Sequence, residues 1–392
     1  MKIISINAGS SSLKFRLFEM PEEKELCAGV FERIGLAKSF YTINIKGEKI
    51  KKEVDLTNHS QAVNILIEEL INLKIVNSME DIEGVGHRVV HGGDKYATSV
   101  IIDNDVMDHV GKVSDLAPIH NPANILGINA FKEILPNVKS VAIFDTAFHQ
   151  SMPEEAYIYP VPYEWYKDYG IRKYGFHGTS HKYIAKKISE LLNNQNLKVI
   201  SCHLGNGGSI TAIDKGKSID TTMGFTPLAG IPMGTRSGDI DPSIIPYIMH
   251  KTNKTIDEVI NDLNKNSGFL GVSGVSADSR DIEAGIEEGN ERCLLAYNIY
   301  IKEIVAVISS YNTLLNGADV ICFTAGIGEN SIKTRKDIVE KLKPLGVKLD
   351  IEKNNVRGKE QLISTTDSKI RCYIVPTDEE LMIAQETYDL IK

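Results

Sequence analysis

The chain has 392 residues, 42% hydrophobic and 24% charged, a composition that excludes disorder and fibrous repeats and, at roughly 150 residues per domain, gives two or three domains. Lys and Arg number 44 against 52 Asp and Glu, a formal charge of -8, so the cationic surface that nucleic acid requires is lacking and no such partner is expected. Five widely spaced cysteines without a CxxC pair fit a reducing, cytoplasmic setting.

The first residues, MKIISINAGSSSLKF, run from a short apolar stretch straight into Gly and Ser. The stretch is too short for a signal-peptide core and reads as strand, tight turn, strand. Asn7 to Lys14 (NAGSSSLK) offers small residues that let backbone amides approach an anion, hydroxyl donors, and Lys14 as a point charge. A serine-rich hairpin tip with a solvated lysine is the competing reading, and the GxxxxGK[ST] spacing of a P-loop is absent. Residues 61–73 (QAVNILIEELINL) have helical spacing, starting near His59 or Ser60.

GHRVVHGG around Arg88 and APIHNP around His120 come next. An arginine beside glycine suits a fork-like grip on carboxylate or phosphate, with a structural ion pair as the alternative. Residues 138–144 (VKSVAIF) read as a strand ending on Asp145, either a helix cap or an acid of a site. The stretch SMPEEAYIYPVPYEWYKDYG, with Pro153, Pro160 and Pro162, marks the expected domain junction. YGFHGTSH then brings His177, with Thr179 or Ser180 as cap of a helix reaching about Leu192.

Residues 199–211 (VISCHLGNGGSIT) weakly repeat residues 3–15 (IISINAGSSSLKF) at an offset of 196, half the chain length. Ile4 meets Ile200, Ser5 meets Ser201, Asn7 meets His203 and Gly9 meets Gly205, which suggests two related domains. In the second turn, Gly205, Gly207 and Gly208 are costly in entropy unless positive φ or close ligand approach is needed. An ordinary tight turn is the alternative.

MGTRSGDIDP around Arg236 is a second arginine flanked by small residues. A long helix from about Glu291 to Leu315, interrupted by the charges of Lys302 and Glu303, leads to a strand at Asp319 to Phe323. No stretch reaches the 18 apolar residues of a membrane helix, and no membrane partner is expected. FTAGIGEN follows as strand, GxG and helix start, a cradle for a nucleotide that does not match the dinucleotide pattern GxGxxG. Thr377 or Asp378 caps the final helix, whose first turn carries Glu379 and Glu380. Those acids suit a helix N-terminus; with Asp145 and Asn7 they also fit an oxygen-rich magnesium site. Zinc spacing and a GxSxG elbow are absent. Strands alternating with helices predict an α/β architecture.

INAGSSSLKF, GHRVVHGG, APIHNP, FDTAFH, YGFHGTSH, HLGNGGS, MGTRSGDIDP, FTAGIGENS and TDEEL, in this order over essentially the entire chain, resemble the acetate kinase (acetokinase) family. The resemblance implies an α/β fold of two duplicated RNase H-like domains of the actin, sugar-kinase and Hsp70 ATPase type, with the active site in the interdomain cleft. The domains are expected at 1–147 plus about 381–392 and at 148–380. It further implies reversible, Mg2+-dependent transfer of the ATP γ-phosphoryl group to acetate, giving acetyl phosphate and ADP, in a homodimer, with Mn2+ able to replace Mg2+.

By motif, the resemblance gives Arg88 the substrate carboxylate, with Val90, Ile119, Phe176 and Pro227 around the acetyl methyl group. Arg236 and His177 stabilise the transferring phosphoryl group and Asp145 is the catalytic acid. Asn7 and Glu379 serve the metal, with Glu379 favoured over Glu380. Lys14 reaches the phosphates, and ATP lies against His203, Leu204, Gly205, Asn206, Gly207, Asp278, Ser279, Arg280, Gly326, Ile327, Gly328, Glu329 and Asn330. Ser279 stands where related enzymes often carry a larger residue, and Asp94 where they can carry Glu. Acetate is already ionised at pH 7 and needs no general base, so Asp145 is expected to position magnesium-bound water or Arg and His partners.

Propionate or butyrate kinase is the near rival, because one methylene in an apolar pocket is worth only about 1–3 kcal/mol. A nucleotide-driven binding module of the Hsp70 or actin kind is the distant one. It is disfavoured because only about a dozen residues follow Glu380, too few for a peptide-binding domain.

Overall fold

The predicted hairpin forms: β1 (Lys2–Ala8) and β2 (Ser12–Glu19) pair antiparallel, with Asn7 opposite Lys14. The strands β3 (Lys24–Glu32), β4 (Phe40–Ile45) and β5 (Glu48–Glu53) extend it as a meander. On the other side of β1 lie β6 (Ile82–Val89), parallel to it, and β8 (Lys139–Phe144), parallel to β6. The short β7 (Val100–Ile101) closes that edge, giving the order β5-β4-β3-β2-β1-β6-β8-β7.

The second sheet repeats the plan. Antiparallel β9 (Lys198–Leu204), β10 (Gly208–Asp214) and β11 (Lys217–Thr221) are followed by β12 (Val320–Thr324), parallel to β9. With β13 (Gln361–Leu362) and β14 (Arg371–Ile374) the order is β11-β10-β9-β12-β14-β13. In both sheets the first strand is central, its hairpin partners lie to one side and two parallel strands to the other. That shared 3-2-1-4-5 order is the structural counterpart of the 196-residue sequence offset.

The computed structural model describes all residues, Met1–Lys392, in two units: Met1–Gln150 with Asp378–Lys392, and Ser151–Thr377. The chain rejoins the first unit at Asp378, so Glu379 and Glu380 belong there and not with the second unit, where the sequence reading puts them. The final helix, Glu379–Ile391, packs Ile383, Ala384 and Ile391 against Ile3, Phe18, Val141 and Ile143. Glycines of β6 make this possible: a Cβ would lie 2.4 Å from Ile391 Cδ1 at Gly84 and 2.3 Å from Thr387 Oγ1 at Gly86.

Two helix starts fall where the sequence reading puts them and one does not. The helix His59–Asn72 begins at His59 as the spacing predicts, with Asn58 as its cap, accepting from the Gln61 amide. Asp378 caps the final helix through the Leu381 amide. The helix Gly178–Leu191 is preceded by His177 with no side-chain cap; Thr179 and Ser180 lie inside its first turn. The helix Glu291–Leu314 is long and apolar enough by composition to cross a bilayer, but its Tyr300, Ile301, Ile304 and Ile308 side chains lie in the core of the second unit. All five cysteines are buried and free, and burial pushes the Cys27 and Cys372 thiols up to about 12.

Candidate active site

In the first unit, β6 and β8 run parallel with Arg88 beside Ile143 and Val89 beside Phe144. Arg88 and Asp145 therefore meet at the carboxyl ends of adjacent strands, where open α/β sheets bind ligands. Arg88 Nε donates to Asp145 Oδ1 at 3.0 Å and Nη2 to Oδ2 at 2.6 Å, a two-pronged pair with Asp145 only 2% exposed. Attraction to Asp145 outweighs desolvation and holds the guanidinium well above its usual range. One side of the fork is thus occupied, while the edge formed by Nη1 and the second N–H of Nη2 has no protein partner. That edge fits a second carboxylate.

Lys14 pairs with Glu380, and Arg16 with Asp378 at 2.5 Å. Burial works to raise Glu380, but Lys14, a backbone hydrogen bond and Arg16 together outweigh it and the carboxyl is lowered. Glu379 behaves oppositely: burial, reinforced by Asp145 and Glu380, pushes it up to about 7 against Arg88 and Lys14. Its carboxylate, like the Asn7 amide, has no hydrogen-bonding partner. No group of three or more His, Cys, Asp or Glu is arranged to hold a metal. Magnesium needs no such cage, since one or two carboxylates complete a shell otherwise filled by water and phosphate; Asn7 and Glu379 fit that demand. Val90 is buried and Ile119 is 66% exposed. His120 stands at the start of the helix Asn121–Ile134.

In the second unit, His177 adopts the left-handed conformation, φ 56°, at the start of its helix, a backbone state that non-glycine residues hold at a cost of about 1–3 kcal/mol and that clusters at functional sites. Its ring stacks on His203 at 4.1 Å, and its Nδ1 lies 2.9 Å from Ser209 Oγ. Arg236 Nη1 donates to the Pro227 carbonyl at 3.3 Å and approaches Met233 Sδ. No carboxylate pairs with it, and burial lowers its pKa. A Cβ at Gly207 would lie 3.4 Å from Arg236 Nη1 and 3.8 Å from His177 Nε2, ordinary contact distances, so both side chains face this one glycine. None of Gly205, Gly207 and Gly208 has positive φ; close approach accounts for Gly205 and Gly208, where a Cβ would lie 3.1 Å from Gly207 O and 3.0 Å from Ile231 Cδ1. Phe176 is buried and Pro227 half-buried.

A pocket of about 600 Å3 in the same unit is lined by Asn206, Asp278, Ser279, Arg280, Gly326, Ile327 and Asn330, all expected from sequence. Gly326 has ordinary φ and open space where a Cβ would project; the fold itself does not demand glycine there. Gly326→Ala is expected to raise the nucleotide KM about tenfold while leaving the unfolding midpoint unchanged or higher, since alanine favours the helix Ala325–Asn330. Kinetics beside urea unfolding checks both. Glu329 turns inward instead, accepting from the amides of Ala325 at 2.7 Å and Thr377 at 3.1 Å. His203 and Leu204 are buried strand residues.

Sequence reasoning missed several contributors to the second unit's site. Ser276, Glu283, Ser331 and Arg357 also line the pocket. Arg335 is wholly buried, donating to Gly328 O at 3.0 Å, Asn354 Oδ1 at 2.8 Å and Val356 O at 2.8 Å. It thereby fixes the glycine turn from behind. Within KTRKD its periodicity reads as a solvated helix face, and no local signal separates it from its neighbours.

The chain matches the profile of the Acetokinase family over residues 2–385. It is 56% identical to an acetate kinase of Bacillus velezensis over 391 residues, 99% of each chain. Among solved structures it superposes on an acetate kinase from Porphyromonas gingivalis with TM-score 0.96, 42% identity and full coverage of both chains. A propionate kinase from Francisella tularensis gives TM-score 0.93 at 41% identity over 99% of each chain.

Proposed function

Because the chain belongs to the acetokinase family, we propose that it transfers the γ-phosphoryl group of ATP to acetate, a phosphotransferase reaction with a carboxyl acceptor. An acetate oxygen attacks the γ-phosphorus, the bond to the β-phosphate bridging oxygen breaks, and acetyl phosphate and ADP result; every step is reversible. The observation that carries the reading is the pair of cationic groups left available: the outer edge of Arg88, and Arg236 with no counter-ion.

Arg88 grips the acetate carboxylate on the edge that Asp145 leaves open, and Asp145 acts by orienting Arg88. Val90 and Ile119 of the first unit and Phe176 and Pro227 of the second are the apolar side chains assigned to the methyl group. Arg236 and the His177 ring donate to phosphoryl oxygens whose charge changes during transfer, where fixed donors act most strongly. ATP lies in the pocket of Asn206, Asp278 to Arg280 and Gly326 to Asn330, and Lys14 exchanges Glu380 for phosphate. Mg2+, held by Asn7 and Glu379, supplies charge neutralisation for the phosphates when bound; Mn2+ meets the same donor set.

The helix Ile244–Thr252 supports a homodimer: none of its residues is buried, and Ile244 and Tyr247 are 48% and 63% exposed. Five buried free cysteines suit a reducing cytoplasm.

Hydroxylamine trapping tests the activity. ADP release that depends on acetate and matches hydroxamate formation is expected, and ADP release indifferent to acetate would overturn the reading. The propionate kinase similarity favours propionate as a second substrate, at roughly tenfold lower kcat/KM for the added methylene.

A further inference from the structure

Behind His177 lies a chain of buried polar groups with no place in the reaction as described. His177 and His181 stand four residues apart, on one side of the start of the helix Gly178–Leu191. Beneath them, Ser201 on β9 and Ser209 on β10 share a sheet face, since Thr211 sits opposite Ser201 and two residues from Ser209. His177 Nδ1 is 2.9 Å from Ser209 Oγ, which is 2.8 Å from His181 Nε2; His181 Nδ1 is 2.9 Å from Ser201 Oγ. Ser201, Ser209 and His181 are all 0% exposed.

The direction of these hydrogen bonds follows from proton counting. The Ser201 hydroxyl has a single partner, His181 Nδ1. A buried O–H without an acceptor is more costly than an unused lone pair, so Ser201 donates and His181 Nδ1 accepts. Both His181 nitrogens face neutral hydroxyls in a fully buried site, which favours the neutral ring, and its one proton sits on Nε2. Ser209 accepts that proton's hydrogen bond, and its own hydroxyl then has one acceptor left, His177 Nδ1. The His177 proton is thereby placed on Nε2, the nitrogen that shares the Gly207 face with Arg236 Nη1.

We propose that Ser201, His181 and Ser209 are positioning residues that lock His177 in the Nε2–H tautomer, so that it offers a hydrogen-bond donor to a phosphoryl oxygen while uncharged. This deepens the role given to His177 above and rests on that reading. Arg236 carries the charge, and His177 contributes a donor of fixed direction. The lock acts at a distance: Ser201 touches neither His177 nor any group facing the phosphoryl position, yet it sets the orientation of the whole chain.

The test is the tautomer itself. In protein labelled with 15N-histidine, long-range 1H–15N correlation separates the two neutral tautomers, and loss of one pattern in His177→Gln assigns the signal. The Nε2–H form is expected in the native protein. Ser209→Ala should populate the Nδ1–H form and lower kcat about tenfold with both KM values within about twofold, and Ser209→Thr should restore both. Ser201→Ala should also shift the His177 tautomer, and it serves alone where Ser209→Ala does not fold. A His177 signal of Nδ1–H type in the native protein, or one unmoved in these alanine variants, overturns the lock. Unchanged kcat in His177→Gln would instead remove His177 from the transfer and leave the tautomer result standing, so the two failures are distinguishable.

Discussion

Arg236→Ala is expected to lower kcat by about 10^3-fold while the acetate KM stays within about twofold. The expectation comes from what surrounds the side chain. Its contacts are a carbonyl oxygen and a thioether, and burial already disfavours its charge. A cation kept without a counter-ion, facing the Gly207 backbone, stabilises whatever negative charge arrives there. It acts most on charge that redistributes as the phosphoryl group moves, because an interaction made more strongly in the transition state changes kcat. Arg236→Lys should recover only part of the loss, since a point charge replaces a planar fork. Steady-state kinetics decides: a raised acetate KM at undiminished kcat would mean that Arg236 binds substrate and not the transition state.

Arg88→Ala is expected to show the reverse kinetic pattern together with a loss of stability. Losing a charged two-pronged contact of about 2 kcal/mol should raise the acetate KM about 30-fold, with kcat less affected. Asp145, 2% exposed, would be left as a buried acid without its cation, which costs about 3 kcal/mol. Urea unfolding without ligands isolates that second effect. Replacing Asp145 as well, in Arg88→Ala/Asp145→Ala, should return part of the stability without restoring the acetate KM. An acetate KM unchanged in Arg88→Ala would end its assignment to the carboxylate.

The parts of this fold that sequence reveals are those written locally. The hairpins at residues 3–15 and 199–211 announce themselves through alternation and glycine, and their offset anticipates the shared strand order. Gly208 and Gly326 stand out because glycine has a visible cost, although their reasons differ: one admits the close approach of Ile231, the other leaves a pocket open. The cap at His177 is invisible in sequence, because a left-handed histidine is held by tertiary packing and contradicts local preference, so Thr179 and Ser180 look like better caps. Ser201, Ser209 and Arg335 are illegible for a related reason. Each gains its role from partners brought by the fold, the two serines lying 8 positions apart and Arg335 and Asn354 19 positions apart. The acids at Glu379 and Glu380 were readable as a helix start; that the helix belongs to the first unit depends on Gly84 and Gly86, nearly 300 residues earlier.

That late return governs the order in which the protein can be completed during synthesis. The second unit, Ser151–Thr377, is one continuous piece, and all its residues have been translated before the helix Glu379–Ile391 emerges. The first unit begins earlier and is finished later, since the groove over β6 stays uncovered until that helix arrives. The amino-terminal residues Met1–Gln150 are thus made first yet lack the helix that covers their apolar seam until the last residues of the chain have been added.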